Sequence, residues 1–302
     1  MEPDGTKDRR ILIVGGSSFI GRHLSALLGH SGALATYHAS PIEGGVQFDI
    51  MRDSLDDIPV DGDTVSHIVL LSAVSSPNGC FADPSRCRAC NVDRAVDLAR
   101  QANDKGITFV FASTESIFDG EDGPYDENST PRPVMLYGET KLEAERQILE
   151  INSGNLILRI ASVYGTVPGD GTLCMGMLDQ IARGDRILCA TDQAFSPIHV
   201  EDTATTIHKL IERDAHGIYN VAGPETLTRL EILNTLIALY EQYRQPFRGS
   251  IETCTVSDLP TPEVRPRNTG LSMRKTAAMT GFMPQSVTER VSAAFKEQTD
   301  ER

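Results

Sequence analysis

The chain has 302 residues, a formal net charge of −14, and 40% hydrophobic and 23% charged residues. That length supports one large or two smaller domains with a packed core. The acidic balance argues against a general binder of nucleic acid or anionic membrane, and no apolar run approaches the roughly 18–20 residues of a membrane span. The polar start, Met1 to Asp8, predicts no signal peptide, hence a cytoplasmic protein whose six cysteines are reduced thiols. Cys80, Cys87 and Cys90 cluster, but structural zinc requires four ligands and no second pair stands at suitable spacing, so no metal site is expected from them.

Residues 9–21 read as a buried parallel strand, a glycine turn and a helix start. Ile11 to Val14 are too uniformly apolar for a one-sided strand and suit a sheet covered on both faces. Gly15 makes the turn, Gly21 lets the helix approach, and the free N–H groups around Ser17, Ser18, Phe19 and Ile20 face a pyrophosphate. The second strand, Ala33–Tyr37, runs into His38-Ala39-Ser40 without the Asp or Glu that holds an adenosine 2′-hydroxyl. NADP(H) is therefore preferred over NAD(H), with Arg22, His38 and Ser40 as candidate phosphate partners.

Val46–Ile50 predicts a short third strand and Val65–Leu71 a fourth, whose end, Leu71-Ser72-Ala73-Val74, faces the same crevice as the glycine turn. His67 lies inside that strand as a packed residue. A long helix is expected over residues 84–103, with Val92, Val96 and Ala99 at helical spacing.

Phe109-Val110-Phe111 forms strand five and delivers Ser113-Thr114 at its end. After a loop rich in Gly, Pro, Asp and Asn, Tyr137-Gly138-Glu139-Thr140-Lys141 opens a run of helix formers. Residues four apart share a helix face, so Tyr137 and Lys141 point the same way. An ammonium one turn away stabilises a phenolate and brings its pKa from near ~10 toward neutral, while a hydroxyl such as Thr114 holds a carbonyl against the phenol. This is a proton relay for reducing a ketone or oxidising an alcohol.

Leu156–Ile160 is strand six, so residues 1–165 read as an NAD(P)-binding α/β domain with a Rossmann-type doubly wound parallel sheet. Residues 166–302 read mainly as a smaller α/β substrate subdomain, some segments of which return to the first core. It carries helices over Leu173–Arg183 and from Thr228 to about Tyr243, and a strand-like Gly217–Gly223.

The order of Gly-rich turn, Ser113-Thr114, Tyr137-x-x-x-Lys141, Arg159-x-x-x-Val163-Tyr164-Gly165 and Ile198-His199-Val200-Glu201-Asp202 resembles the extended short-chain dehydrogenase/reductases, over residues 10 to about 285. Within that superfamily it is most similar to the dTDP-4-dehydrorhamnose reductases. The segments Ser113–Gly120, Pro124–Glu127, Leu136–Glu145 and Arg265–Leu271 carry the resemblance.

The resemblance implies hydride transfer to C4 of a 4-keto-6-deoxy sugar nucleotide, with Thr114, Tyr137 and Lys141 catalytic. Tyr137 would protonate the alkoxide, Lys141 hold the nicotinamide ribose, and Thr114 bond the carbonyl. It places Gly15, Ser17, Ser18, Phe19, Ile20, Gly21, Arg22, His38, Asp49, Ile50, Leu71, Ser72, Ala73, Asn91, Ile160 and Ser162 at the cofactor, with Asp49 near the adenine. Val74, Glu115, Ser116, Arg265 and Arg267 would meet the substrate. His199 is read as structural. The resemblance also implies a homodimer, and some relatives bind magnesium, for which no ligands are mapped here.

Two departures bear on activity. Ser18 replaces the usual middle glycine, and Glu115-Ser116 replaces the usual Asp-Tyr. Sugar-nucleotide 4,6-dehydratases carry Thr-Asp-Glu, and Ser116 in the second acid's place speaks against dehydration. Two alternatives remain: a non-catalytic cofactor-binding regulatory subunit like the beta subunit of methionine adenosyltransferase, and a sugar-nucleotide epimerase.

Overall fold

Ile11 to Val14 are almost wholly buried, as a strand covered on both faces must be. They belong to β1 (Arg10–Val14), which sits inside a seven-stranded sheet. The structure, a computed structural model, describes residues 9–300; Met1–Asp8, on which the expectation of no leader rests, lie outside them. The other strands are β2 (Ala33–Tyr37), β3 (Val46–Gln47), β4 (Val65–Leu70), β5 (Thr108–Thr114), β6 (Leu156–Ile160) and the segment Gly217–Val221. Across the sheet the order is Gly217–Val221, β6, β5, β4, β1, β2, β3. β1 pairs in parallel with both β2 and β4, so the chain winds first to one side of β1 and then to the other. This is the expected Rossmann-type fold.

Two compact units share the chain. The first comprises the residues up to Thr114, Leu136–Arg159 and Ala204–Tyr219; the second comprises Glu115–Met135, Ile160–Thr203 and Asn220 onward. In the first, α1 (Phe19–Gly32) follows the glycine turn, capped by Ser18, whose side chain accepts the Gly21 N–H. Leu12, Leu70, Phe109, Phe111, Ala144, Ile148 and Ile157 form its core.

Two expected elements differ in detail. The third strand stops at Gln47 because the chain turns there: the Asp49 carboxylate accepts the Met51 N–H, and the Asp53 carboxylate accepts the Asp49 N–H. The long helix of residues 84–103 is present as one continuous run, with a π-helical turn inside it. α2 (Pro77–Ala82) precedes it, α3 (Pro84–Arg88) leads into a π-helical turn over Ala89–Arg94, and α4 (Ala95–Asp104) completes it. The turn widens around Asn91, whose side chain binds the Val74 backbone from both sides, accepting its N–H at 2.9 Å and donating to its carbonyl at 3.0 Å.

One expectation about cysteine is corrected: Cys80 and Cys87 form a disulfide rather than two thiols. The Asp83-Pro84 junction between α2 and α3 brings their Cα atoms to 4.9 Å, within disulfide range. Cys90, Cys174, Cys189 and Cys254 are free. α5 (Leu136–Ile151) closes the helical layer beside β5.

The second unit has its own core, built from α6 (Leu173–Arg183) and, beyond α7 (Val200–Glu212) in the chain, from α8 (Arg229–Tyr243) and the last helix, Val287–Asp300. Met177, Ile181, Ile232, Leu236, Val291 and Phe295 fill it. A short parallel pair, Arg186–Ala190 with Ser250–Cys254, lies in the same unit. α8 opens with a capping box in which Thr228 and Glu231 satisfy each other's backbone N–H groups. The Arg290 guanidinium forks onto Asp202 and reaches Glu201 at 2.9 Å, anchoring the last helix within the unit.

Candidate active site

The glycine turn is wedged between the ends of β2 and β4. Gly15 has φ +98° and its N–H donates to Thr36 Oγ1, while a Cβ there would meet Ser72 Oγ at 2.7 Å. A Cβ on Gly16 would fall 2.6 Å from that of Ala35. On Gly21 it would fall 2.2 Å from the Gly15 carbonyl oxygen, so only glycine lets α1 start this close to the turn. Leu71 and Ser72 both donate N–H groups to the Val14 carbonyl, bringing the β4 end beside Gly15. Ser17, Ser18, Phe19 and Ile20 are half-buried at the start of α1, and Arg22 is exposed.

A cleft of about 370 Å³ runs from Gly16 along α1, lined by Arg22, Ser25, His30, Ala35 and Glu43 among others. The buried Ser25 Oγ in its wall has no hydrogen-bond partner. His38, exposed after β2, lies 3.6 Å from Asp49, which also faces Arg52 at 3.6 Å. An acid thus reaches the end of β2 from the neighbouring loop, not from β2 itself. The Ile50 carbonyl is held by Arg94 Nε at 2.6 Å.

Thr114 ends β5 and is buried. Tyr137 and Lys141 occupy the first turns of α5, Tyr137 half-buried and Lys141 only 3% exposed. The Lys141 ammonium sits 3.8 Å above the centre of the Phe111 ring, which ties α5 to β5 close to Thr114. Burial pushes the Lys141 pKa down to about 7, against the opposing pull of Glu145. One turn beyond Lys141, the buried Glu145 accepts a short hydrogen bond from Ser113 Oγ and binds Arg159 Nη2 at 3.0 Å. Ser113, Glu145 and Arg159 were not among the expected site residues, although Tyr137, Lys141 and Glu145 continue a single i, i+4 series.

Asn91 Nδ2 also lies 3.4 Å from Thr140 Oγ1 and 3.4 Å from Cys87 Sγ, and Thr140 Oγ1 donates to the Tyr137 carbonyl at 2.9 Å. The asparagine therefore braces the β4 end, at Val74, against the first turn of α5. Ala73 and Val74 are half-buried in this stretch.

In the second unit, Glu115 is buried, accepts the Ser162 N–H at 2.9 Å, and hydrogen-bonds to the Thr269 side chain. Burial outweighs those bonds and pushes its pKa up to about 8. Ser116 is half-buried beside it, and Ile160 is buried at the end of β6. The partly buried Arg265 reaches Met135 Sδ at 2.9 Å, whereas exposed Arg267 faces Asp192 at 3.7 Å. His199 is buried and packs edge-on against Tyr164. Among the described residues, no cluster of three His, Cys, Asp or Glu is placed to hold a metal. No described helix is long and apolar enough to cross a membrane.

The RmlD substrate binding domain family matches residues 9–299. The chain belongs to that family. The match places it among the extended short-chain dehydrogenase/reductases, and its enzyme class is NAD(P)-dependent oxidoreductase. It is 31% identical over 217 residues to the probable low-salt glycan biosynthesis reductase Agl14 of Haloferax volcanii, covering 69% of this chain and 70% of that protein. It is 28% identical over 283 residues to methionine adenosyltransferase 2 subunit beta of Bos taurus, covering 87% of this chain and 80% of that one. Its fold is similar to that of a hypothetical dTDP-4-dehydrorhamnose reductase from Sulfolobus tokodaii, with a TM-score of 0.80 at 24% identity over 92% and 97% of the two chains.

Proposed function

We propose that this protein is an NADPH-dependent 4-ketoreductase of a nucleotide-activated 4-keto-6-deoxy sugar. The observation that carries this reading is the buried Lys141 one helical turn from Tyr137, fixed over Phe111 on the strand that ends in Thr114.

The first unit fits a dinucleotide: the Cβ positions of Gly15, Gly16 and Gly21 are filled by neighbouring atoms, and the turn opens onto the N-terminus of α1. Gly15, Ser17, Ser18, Phe19, Ile20 and Gly21 would hold the pyrophosphate, and Lys141 the nicotinamide ribose. The nicotinamide supplies the hydride when bound. Thr114 orients the ketone oxygen by hydrogen bonding. Tyr137 donates its proton to the oxygen as negative charge develops there, and the Lys141 ammonium stabilises the phenolate left behind. Arg265 is the cation proposed for the substrate diphosphate.

The NADP preference is supported by Arg22 and His30 in the adjoining cleft and by the lack of an acid in β2 itself, and the approach of Asp49 to His38 works against it. The test is the fall of NADPH absorbance with nucleotide-activated 4-keto-6-deoxy sugars, in the wild-type protein and in Tyr137→Phe. Oxidation in the wild type alone supports the reductase; NADPH binding without oxidation of any such sugar sinks it.

The similarity to methionine adenosyltransferase 2 subunit beta favours a second reading, a cofactor-binding regulatory subunit. It predicts a co-purifying catalytic partner and no ketone reduction. An epimerase would return its hydride and show no net NADPH loss while its sugar substrate changes configuration.

A further inference from the structure

Lys141 has no carboxylate within ion-pairing distance among the described residues, yet one buried carboxylate stands a turn away on the same helix face. That carboxylate, Glu145, is 2% exposed and held from two other elements: Ser113 Oγ of β5 donates to it, and Arg159 of β6 binds it through Nε and Nη2. We infer that Glu145 is a positioning residue that keeps Lys141 charged in its apolar pocket, so that Tyr137, Lys141 and Glu145 act as one line of groups along α5.

The physical reason lies in what surrounds the ammonium. From β5 it meets the face of the Phe111 ring, and from the π-helical turn it meets Cys90, whose thiol burial keeps protonated. On α5 the residues one turn to either side of it are Tyr137 and Glu145, and the Glu145 carboxylate acts on the ammonium through its charge. The Arg88–Glu143 pair lies toward the exposed side of the helix. Among these groups Glu145 is the one carboxylate on the buried side of α5. Glu145 is shared: Arg159 binds it at 3.0 Å, and its charge also opposes the effect of burial on Lys141. Ser113 and Arg159 thus orient a carboxylate for a lysine that neither of them touches.

The catalytic consequence rests on the reductase reading, but the charge relation does not, and the two can be tested apart. The full-length protein, carrying lysine labelled with carbon-13 at Cε, is titrated by NMR, and the Lys141 signal is identified by its loss in Lys141→Met. Glu145→Gln is expected to lower the Lys141 midpoint by about one pH unit or more. Because Glu145→Gln takes the carboxylate away from the buried Arg159 guanidinium, the double variant Glu145→Gln with Arg159→Met is measured beside it; it removes both charges of the pair and is expected to show the same direction of shift. Glu145→Asp is expected to restore most of the midpoint.

An unchanged Lys141 midpoint in a folded variant lacking the Glu145 carboxylate overturns the inference and leaves Glu145 as a brace between α5 and β6. A shifted midpoint supports it even if the wild-type protein reduces no ketone, an outcome that would count against the reductase reading alone. Where turnover is present, the pH limb of kcat/KM is expected to move with the NMR midpoint, and a purely structural role would not move it.

Discussion

Lys141 in the first unit and Glu115 in the second are both buried ionisable groups whose charged forms burial disfavours, yet they are solvated differently. Lys141, pushed down to about 7, has a buried carboxylate one turn away working against the shift. Glu115, pushed up to about 8, has among the described residues the Ser162 N–H and the Thr269 side chain as partners and no cation acting on it. Hydrogen bonds from neutral groups do not offset the loss of water around a full charge, whereas a fixed opposite charge offsets part of it. The first arrangement suits a group that must carry charge during a reaction, and the second suits a carboxyl that stays protonated.

The two groups drive stability in opposite directions with pH. The folded-state pKa of Lys141 lies below its ordinary 10.5, so the unfolded chain binds the extra proton between about 7 and 10.5, and stability rises with pH through that window. For Glu115 the folded-state value lies above the ordinary 4.5. The folded chain holds the proton between 4.5 and about 8, and stability falls as pH rises through that window.

The largest effect is expected from breaking the first arrangement at the reacting group. Tyr137→Phe should lower kcat by about 10²–10⁴-fold with little change in melting temperature, read from NADPH oxidation and calorimetry. Retained turnover would remove the phenol from the mechanism. Next is Glu115→Gln, which keeps the shape and removes the titration. Its unfolding free energy should lose a slope of up to about 1.4 kcal/mol per pH unit between about pH 5 and 8, measured by urea melts across pH. An unaltered slope would mean that Glu115 ionises in the folded protein as it does in water.

Gly21→Ala sharpens the comparison from the cofactor side. Its methyl group would meet backbone atoms that cannot move aside, so a loss of about 1–3 kcal/mol in stability and weaker dinucleotide binding are expected, read by thermal shift with and without NADPH. The smallest effect is Thr228→Ala, which removes the α8 cap in the second unit and should cost about 1 kcal/mol with NADPH affinity unchanged. A change in that affinity would show that cap loss in α8 reaches the first unit.

Much of the fold is legible because its signals are local. The uniformly apolar run of β1, the glycine turn, the end of β5 at Thr114 and the helix formers after Tyr137 each state their element within a few residues, and the structure has each of them. The helix over residues 84–103 was legible, but its π-helical turn was not, because Asn91 at that turn binds Val74, which is seventeen residues away and belongs to no helix. The Cys80–Cys87 bond was hidden for a related reason: compartment argued for thiols, and only the α2–α3 corner brings the two together.

By itself, then, the sequence determined the Rossmann-type architecture, the family and the Tyr137–Lys141 pair, since strand hydrophobicity, glycine turns and helix periodicity are properties of adjacent residues. Tertiary structure alone decided the second unit's assembly from three separate stretches of chain, the apolar Phe111 floor beneath Lys141, and the meeting of Ser113, Glu145 and Arg159. Those depend on which strand lies beside which helix. A buried charge is tolerable only where such long-range packing supplies its partner.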